Sequence, residues 1–140
     1  YPAQLLAKLT SDDPAVRDRY ARIWLRYEAG IAVLKNADEA IEAFLREYNP
    51  YAFALMENYY MANGCFLEEG QLLKNAGRLA DIPMVIVNGR YDMICPPAAA
   101  DQLHRLLPKS TLVIVPDAGH AASEPGIQAE LIKAMRRFED

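Results

Sequence analysis

Met84-Val85-Ile86-Val87-Asn88-Gly89-Arg90-Tyr91-Asp92 is an apolar, β-branched run that stops in Gly-x-x-Asp, with Ile82-Pro83 before it and Met93-Ile94-Cys95-Pro96 after it. A second apolar run, Thr111 to Val115, stops in Pro116-Asp117-Ala118-Gly119-His120. Short continuous apolar runs bounded by turn formers read as parallel strands buried on both faces, here Met84 to Val87 and Leu112 to Val115. Between them Pro96-Pro97 opens a helix through Leu107, since proline's fixed φ suits the first helical turn. Strand, helix, strand builds a parallel sheet. It leaves Asp92 and His120, twenty-eight positions apart, at the ends of two neighbouring strands, an acid and a base on one sheet edge.

Outward from this unit, Pro125-Gly126 begins a last helix, with Ile127, Leu131, Ile132, Met135 and Phe138 expected on its inner face. Before position 80 helical periodicity prevails. Thr10-Ser11-Asp12-Asp13-Pro14 offers N-cap side chains and a first-turn proline. Apolar residues then recur at three and four from Ala15 to about Val33: Val16, Tyr20, Ile23, Trp24, Tyr27, Ile31. Further helices are expected from Ala37 to Tyr48, stopped by Asn49-Pro50, from Tyr51 to Met61, stopped by Asn63-Gly64, and from Gln71 to Leu79. The fold class is α/β.

Asp92 reads in two ways. Its carboxylate can accept from Nδ1–H of His120, fixing the tautomer and stabilising the imidazolium, or it can simply cap a turn. The matched histidine favours the first. His120 follows a tight polar turn, and an imidazole with an ordinary pKa of about 6.5 suits proton transfer near neutrality. The pair has the order of the last two members of a Ser…Asp…His triad in α/β-hydrolases. No Gly-x-Ser-x-Gly occurs in the 140 residues. Two parallel strands also make no stable sheet alone. The chain therefore reads as part of a hydrolase that begins, at Tyr1, inside a longer polypeptide. Its sheet is to be completed by the missing N-terminal half of the core or by another copy of the chain.

Other residues carry less. His104, mid-helix, reads as a solvated structural residue. Cys95 is near enough to Asp92 to line the same site, but nothing nearby would lower its pKa, so steric blocking by bulky thiol reagents is expected rather than nucleophilic attack. Cys65 has no chemical context. Glu28 and Glu57 sit among aromatics and could receive an ammonium, although pattern alone makes them helix-surface glutamates. Composition is ordinary for a soluble globular domain, with 52% hydrophobic and 24% charged residues. A net charge of −4 without a basic stripe gives no reason to expect nucleic acid. No run reaches membrane-spanning length. Two cysteines without metal or disulfide spacing suit a cytoplasmic protein.

Leu9-Thr10-Ser11-Asp12-Asp13-Pro14-Ala15-Val16, Glu57-Asn58-Tyr59-Tyr60, Asn88-Gly89-Arg90-Tyr91-Asp92 with Cys95-Pro96, and Pro116-Asp117-Ala118-Gly119-His120 with Glu124-Pro125-Gly126 together resemble the prolyl aminopeptidase (proline iminopeptidase) family, across essentially the whole chain. The resemblance implies a helical cap segment over residues 1–80 and, over 81–140, the C-terminal strand–helix–strand–helix part of an α/β-hydrolase core. It implies catalytic roles for Asp92 and His120, with the nucleophile serine and oxyanion loop upstream. It places Glu28 and Glu57 as the cap glutamates that bind the free amino end of a peptide beginning with proline. Tyr27 stands where tryptophan is frequent, and Ala121 where serine is. No metal or cofactor is called for, and the chain by itself is expected to be inactive. An esterase or epoxide hydrolase of the same fold remains an alternative, as does a non-catalytic binding module.

Overall fold

In the computed structural model, which describes residues 2–35 and 38–139, four helices lead: α1 (Pro2–Leu9), α2 (Pro14–Ala32), α3 (Asp38–Glu47) and α4 (Pro50–Ala62). The first was not expected. Pro2 starts it, and Leu5 and Leu9 fall one turn apart on one face. So short a helix is marginal in water; packing on α4 holds it, with Leu9 fully buried. At the start of α2 the capping side chain is Asp13, whose Oδ1 accepts the Ala15 N–H at 2.8 Å. Asn49 serves α4 in the same way, its Oδ1 accepting from Tyr51 and Ala52 at 3.0 and 3.2 Å. Ala37, the expected start of α3, lies outside the described residues.

The chain divides into two compact units, residues 1–30 with 36–69 and residues 31–35 with 70–140. The last two residues of α2, Ile31 and Ala32, thus belong with the second unit. In the first, Leu9, Ala21, Trp24 and Ala54 form the buried core, with Leu5, Tyr20, Tyr51 and Leu55 against it. Arg26 of α2 pairs with Glu42 of α3. Beyond α4 the backbone turns left-handed over Gly64, Cys65 and Phe66, with φ of 58°, 53° and 57°. That conformation is free for glycine and costly for a bulky side chain. Phe66 packs its ring at 5.7 Å from that of Tyr59 and, edge to face, at 5.3 Å from that of Tyr60.

The second unit holds α5 (Gln71–Lys74), a 3₁₀ turn over Ala76–Leu79, β1 (Met84–Gly89), α6 (Pro97–Leu106), β2 (Ser110–Val115) and α7 (Pro125–Met135). The single helix expected over 71–79 is broken at Asn75, whose side-chain amide donates to the Gln71 carbonyl at 2.7 Å and competes with helix propagation. β1 and β2 pair in parallel from Met84↔Ser110 to Gly89↔Val115, with α6 and α7 packed on both. The register sets the Asp92 and His120 loops side by side as they leave the sheet. The strands are half-buried rather than buried throughout; only Gly89 and Val115, at their ends, are buried.

Two further expectations need correction. α7 turns Ile127 and Ala134, two turns apart, into buried positions, while Leu131, Ile132, Met135 and Phe138 stay 39–66% exposed. Its apolar residues cover more of the helix surface than one contact face with two strands can take. His104 is half-buried rather than solvated: its Nδ1 lies 2.7 Å from Ser110 Oγ, which donates onward to the Leu107 carbonyl at 2.7 Å. The imidazole fastens the end of α6 to the start of β2.

Candidate active site

The site forms where β1 and β2 end, above a buried cluster of Val115, Ala118 and Ile127, with Val87 beside it. Gly89 makes the geometry possible. A Cβ there would lie 1.9 Å from the Gly119 carbonyl oxygen and 2.6 Å from that of Ala118, distances no side chain tolerates. With hydrogen in that place, the two loops close backbone to backbone. Arg90 N–H donates to the Val115 carbonyl at 2.8 Å, and Tyr91 N–H to the Ala118 carbonyl at 3.0 Å. From within the loop, the Asn88 side-chain amide reaches the Gly89 and Cys95 carbonyls at 3.1 and 3.3 Å.

Asp92 is 7% exposed, and the turn role and the triad role turn out to be compatible. Oδ1 accepts the backbone N–H groups of Ile94 at 2.9 Å and Cys95 at 2.7 Å, the bonds of a turn-capping aspartate. Oδ2 lies 3.0 Å from Nδ1 of His120, with Oδ1 at 3.2 Å from the same nitrogen. The turn bonds aim the carboxylate; the second oxygen uses that aim. Both oxygens are acceptors, so a hydrogen on Nδ1 satisfies the contact, and in that tautomer of the neutral ring the lone pair is on Nε2. The ring is 39% exposed, so it is backed by a buried acid and open on another side. Such a pair can accept a proton from a hydroxyl or water and return it to a leaving group.

The histidine loop is fastened on its far side by bonds that the sequence reading did not foresee. His120 and Ala121 N–H both donate to the Ala32 carbonyl, at 2.9 and 2.8 Å. Glu124 Oε1 accepts from Gly119 N–H at 2.6 Å, and Oε2 from Leu34 N–H at 3.3 Å. The only available signal was Glu-Pro-Gly at the start of α7; a backbone carbonyl such as that of Ala32 leaves no trace in side-chain pattern. Cys95 is exposed, and its thiol titrates above the ordinary value, raised first by burial and then by the Asp92 carboxylate. This agrees with a non-nucleophilic residue.

Glu28 and Glu57 are half-buried members of the other compact unit. Glu57 has a partner that sequence did not foresee: its Oε2 accepts the indole N–H of the buried Trp24 at 2.6 Å. Trp24 is one helical turn before Glu28 on α2 and stacks on Tyr27, ring centres 5.8 Å apart.

The sequence model of the TAP-like protein family matches residues 66–138. Proline iminopeptidases are similar over nearly the whole chain. Those of Xylella fastidiosa (strain Temecula1) and Xanthomonas citri are 45% and 42% identical over 132 residues, covering 94% of this chain and 42% of each relative. That of Arabidopsis thaliana is 39% identical over 133 residues, 94% of this chain and 35% of the relative. The chain thus spans about two fifths of the length of the curated relatives it matches, in their C-terminal portion. Strand order, paired loops and family match agree: the chain belongs to the TAP-like protein family, as the C-terminal part of an α/β-hydrolase.

Proposed function

We propose that this chain supplies the acid–base pair and the substrate-binding cap of a serine exopeptidase that releases N-terminal proline from peptides. One observation carries the reading: His120 Nδ1 lies 3.0 Å from a carboxylate oxygen of the buried Asp92, while the ring remains open to an incoming group. A serine in the upstream part of the protein attacks the carbonyl of the N-terminal proline. Its proton passes to Nε2 of His120, and Asp92 stabilises the imidazolium. The imidazolium protonates the departing amine; His120 then deprotonates water, which releases proline from the acyl-enzyme. Glu28 and Glu57, in a cap segment over residues 1–80, hold the substrate's ammonium. The similarity to proline iminopeptidases and the aromatic setting of both glutamates support this assignment. The exposed apolar face of α7 and the two-stranded sheet support a core completed by upstream sequence. The exposed free cysteines support a reducing, cytoplasmic setting.

The test uses the full-length protein and a chromogenic proline amide. His120→Ala should lower kcat by about 10⁴-fold or more, with Asp92→Asn close behind. A folded His120→Ala variant that keeps half the wild-type rate would remove the reading. Turnover of simple esters but not of the amide would instead favour an esterase.

A further inference from the structure

The histidine loop rests on a second carboxylate that the reaction above does not use. Glu124 is half-buried between His120 and α7, and each of its carboxylate oxygens is taken by a backbone amide, Gly119 on one side and Leu34 on the other. The two amides come from segments eighty-five residues apart, so this one carboxylate ties the histidine loop to the end of α2. Gly119 itself is enclosed: a Cβ there would stand 3.0 Å from Glu124 Oε1, 3.1 Å from Leu34 N and 3.3 Å from the Ala32 carbonyl oxygen. The next two residues, His120 and Ala121, donate to that same Ala32 carbonyl. The turn that presents the imidazole is therefore pinned to residues 32–34, and Glu124 is the one side chain among these bonds.

We propose that Glu124 is a positioning residue for His120. Bonds to a charged acceptor are about twice as strong as neutral ones, so the carboxylate fixes the Gly119 peptide plane and with it the direction in which the next residue leaves. That direction decides whether Nδ1 meets Asp92 and where Nε2 points. Without the carboxylate, the bonds from Tyr91 to Ala118 and from His120 and Ala121 to Ala32 still fold the loop, but its presenting turn gains play. Misplacement of a proton-transfer group by about 1 Å costs on the order of 10²-fold in rate. This inference rests on the reading of His120 and Asp92 as the acid–base pair.

The experiment compares Glu124→Ala, Glu124→Gln, Asp92→Asn, His120→Ala and the Glu124→Ala/Asp92→Asn double variant in the full-length protein, with thermal melting as the check on folding. Glu124→Ala should lower kcat on a proline amide by about 100-fold, with KM moved by less than about threefold. Glu124→Gln keeps one carbonyl for Gly119 but turns an amide group onto the Leu34 N–H, and should fall between. In the Asp92→Asn background, Glu124→Ala should cost less than about threefold more, because the aim it secures is already lost. A purely structural glutamate would lower the melting temperature and leave kcat per folded molecule, or would cost the same in both backgrounds; either result overturns the proposal. If Glu124→Ala fails to fold, the Gln variant alone and combined with Asp92→Asn decides by the same criteria. A His120→Ala variant that stays active would refute the acid–base reading itself. A dead His120→Ala beside a fully active Glu124→Ala refutes only the role of Glu124.

Discussion

The ends of β1 and β2 and the α1–α2–α4 cluster hold the carboxylates of Asp92 and Glu57 by different means. Around Asp92 and His120 the constraints are mostly main-chain bonds: Arg90 to Val115, Tyr91 to Ala118, His120 and Ala121 to Ala32. Around Glu57 the constraint found among the described residues is a side-chain bond from Trp24, beside the buried cluster of Leu9, Ala21, Trp24 and Ala54. Many of the other large apolar side chains there, Tyr27, Met56, Tyr59 and Tyr60 among them, are 49–65% exposed. A proton-transfer pair loses rate with errors of about an ångström, and a main-chain frame that cannot shift rotamer would suit one. Binding of an ammonium tolerates more play, because charge attraction falls slowly with distance.

The comparison breaks most visibly at Gly89. Alanine there drives a Cβ into the Gly119 carbonyl, which is itself main chain and cannot swing aside. Gly89→Ala should cost about 4 kcal/mol or more, read as a large fall in the urea midpoint or as loss of soluble protein. Gly30→Ala is the control in the helical unit, where a Cβ meets nothing within 4 Å; it should leave stability unchanged or raise it slightly. Equal losses in both variants would show that the crossing at Gly89 relaxes at little cost.

A smaller effect sharpens the other side. Glutamine at position 57 keeps an oxygen for the Trp24 N–H and loses only the charge. If Glu57 merely steadies Trp24, Glu57→Gln is silent. If it also receives an ammonium, kcat/KM for free-amino proline substrates in the full-length protein should fall about 10- to 100-fold, the equivalent of one charged hydrogen bond. N-blocked proline substrates and simple esters should change by less than about threefold. Equal losses on blocked and free substrates would assign Glu57 to cap integrity alone.

What could be read in advance follows the same division. Met84 to Val87 and Leu112 to Val115 announced themselves because β-branched runs between turn formers have few other uses, and the spacing of Asp92 and His120 then followed from strand–helix–strand geometry. Asp13 was legible because capping is a side-chain property, whereas Asn49 read only as the stop of α3 and proves also to be the N-cap of α4. α1 was not legible, since eight residues are too few to show a period and packing on α4 is what holds it. The inner face of α7 was misjudged because Leu131, Ile132, Met135 and Phe138 are apolar whichever face meets the sheet. The contribution of residues 31–35 was invisible for a stricter reason: its key atoms are the Ala32 carbonyl and the Leu34 amide, which every residue type possesses.

The smallest effect probes the electrostatics of the Asp92 loop. Burial and the neighbouring carboxylate both favour the neutral thiol of Cys95, and the thiolate is the species that alkylates. The pH at which iodoacetamide labelling of Cys95 reaches half its limiting rate should therefore lie higher in the folded protein than in the same chain unfolded in denaturant. Peptide mapping separates it from Cys65. The sign is fixed by direction alone: a raised thiol reacts more slowly at neutral pH and catches up only in alkali. Asp92→Asn removes the lesser of the two causes, so the midpoint should move down, yet stop short of the unfolded value because burial remains. A midpoint that does not move would mean that the carboxylate's field is spent on His120 and the turn amides before it reaches the sulfur. A midpoint that falls the whole way would mean that the loop has opened, and that Asp92 holds its own turn as well as the imidazole.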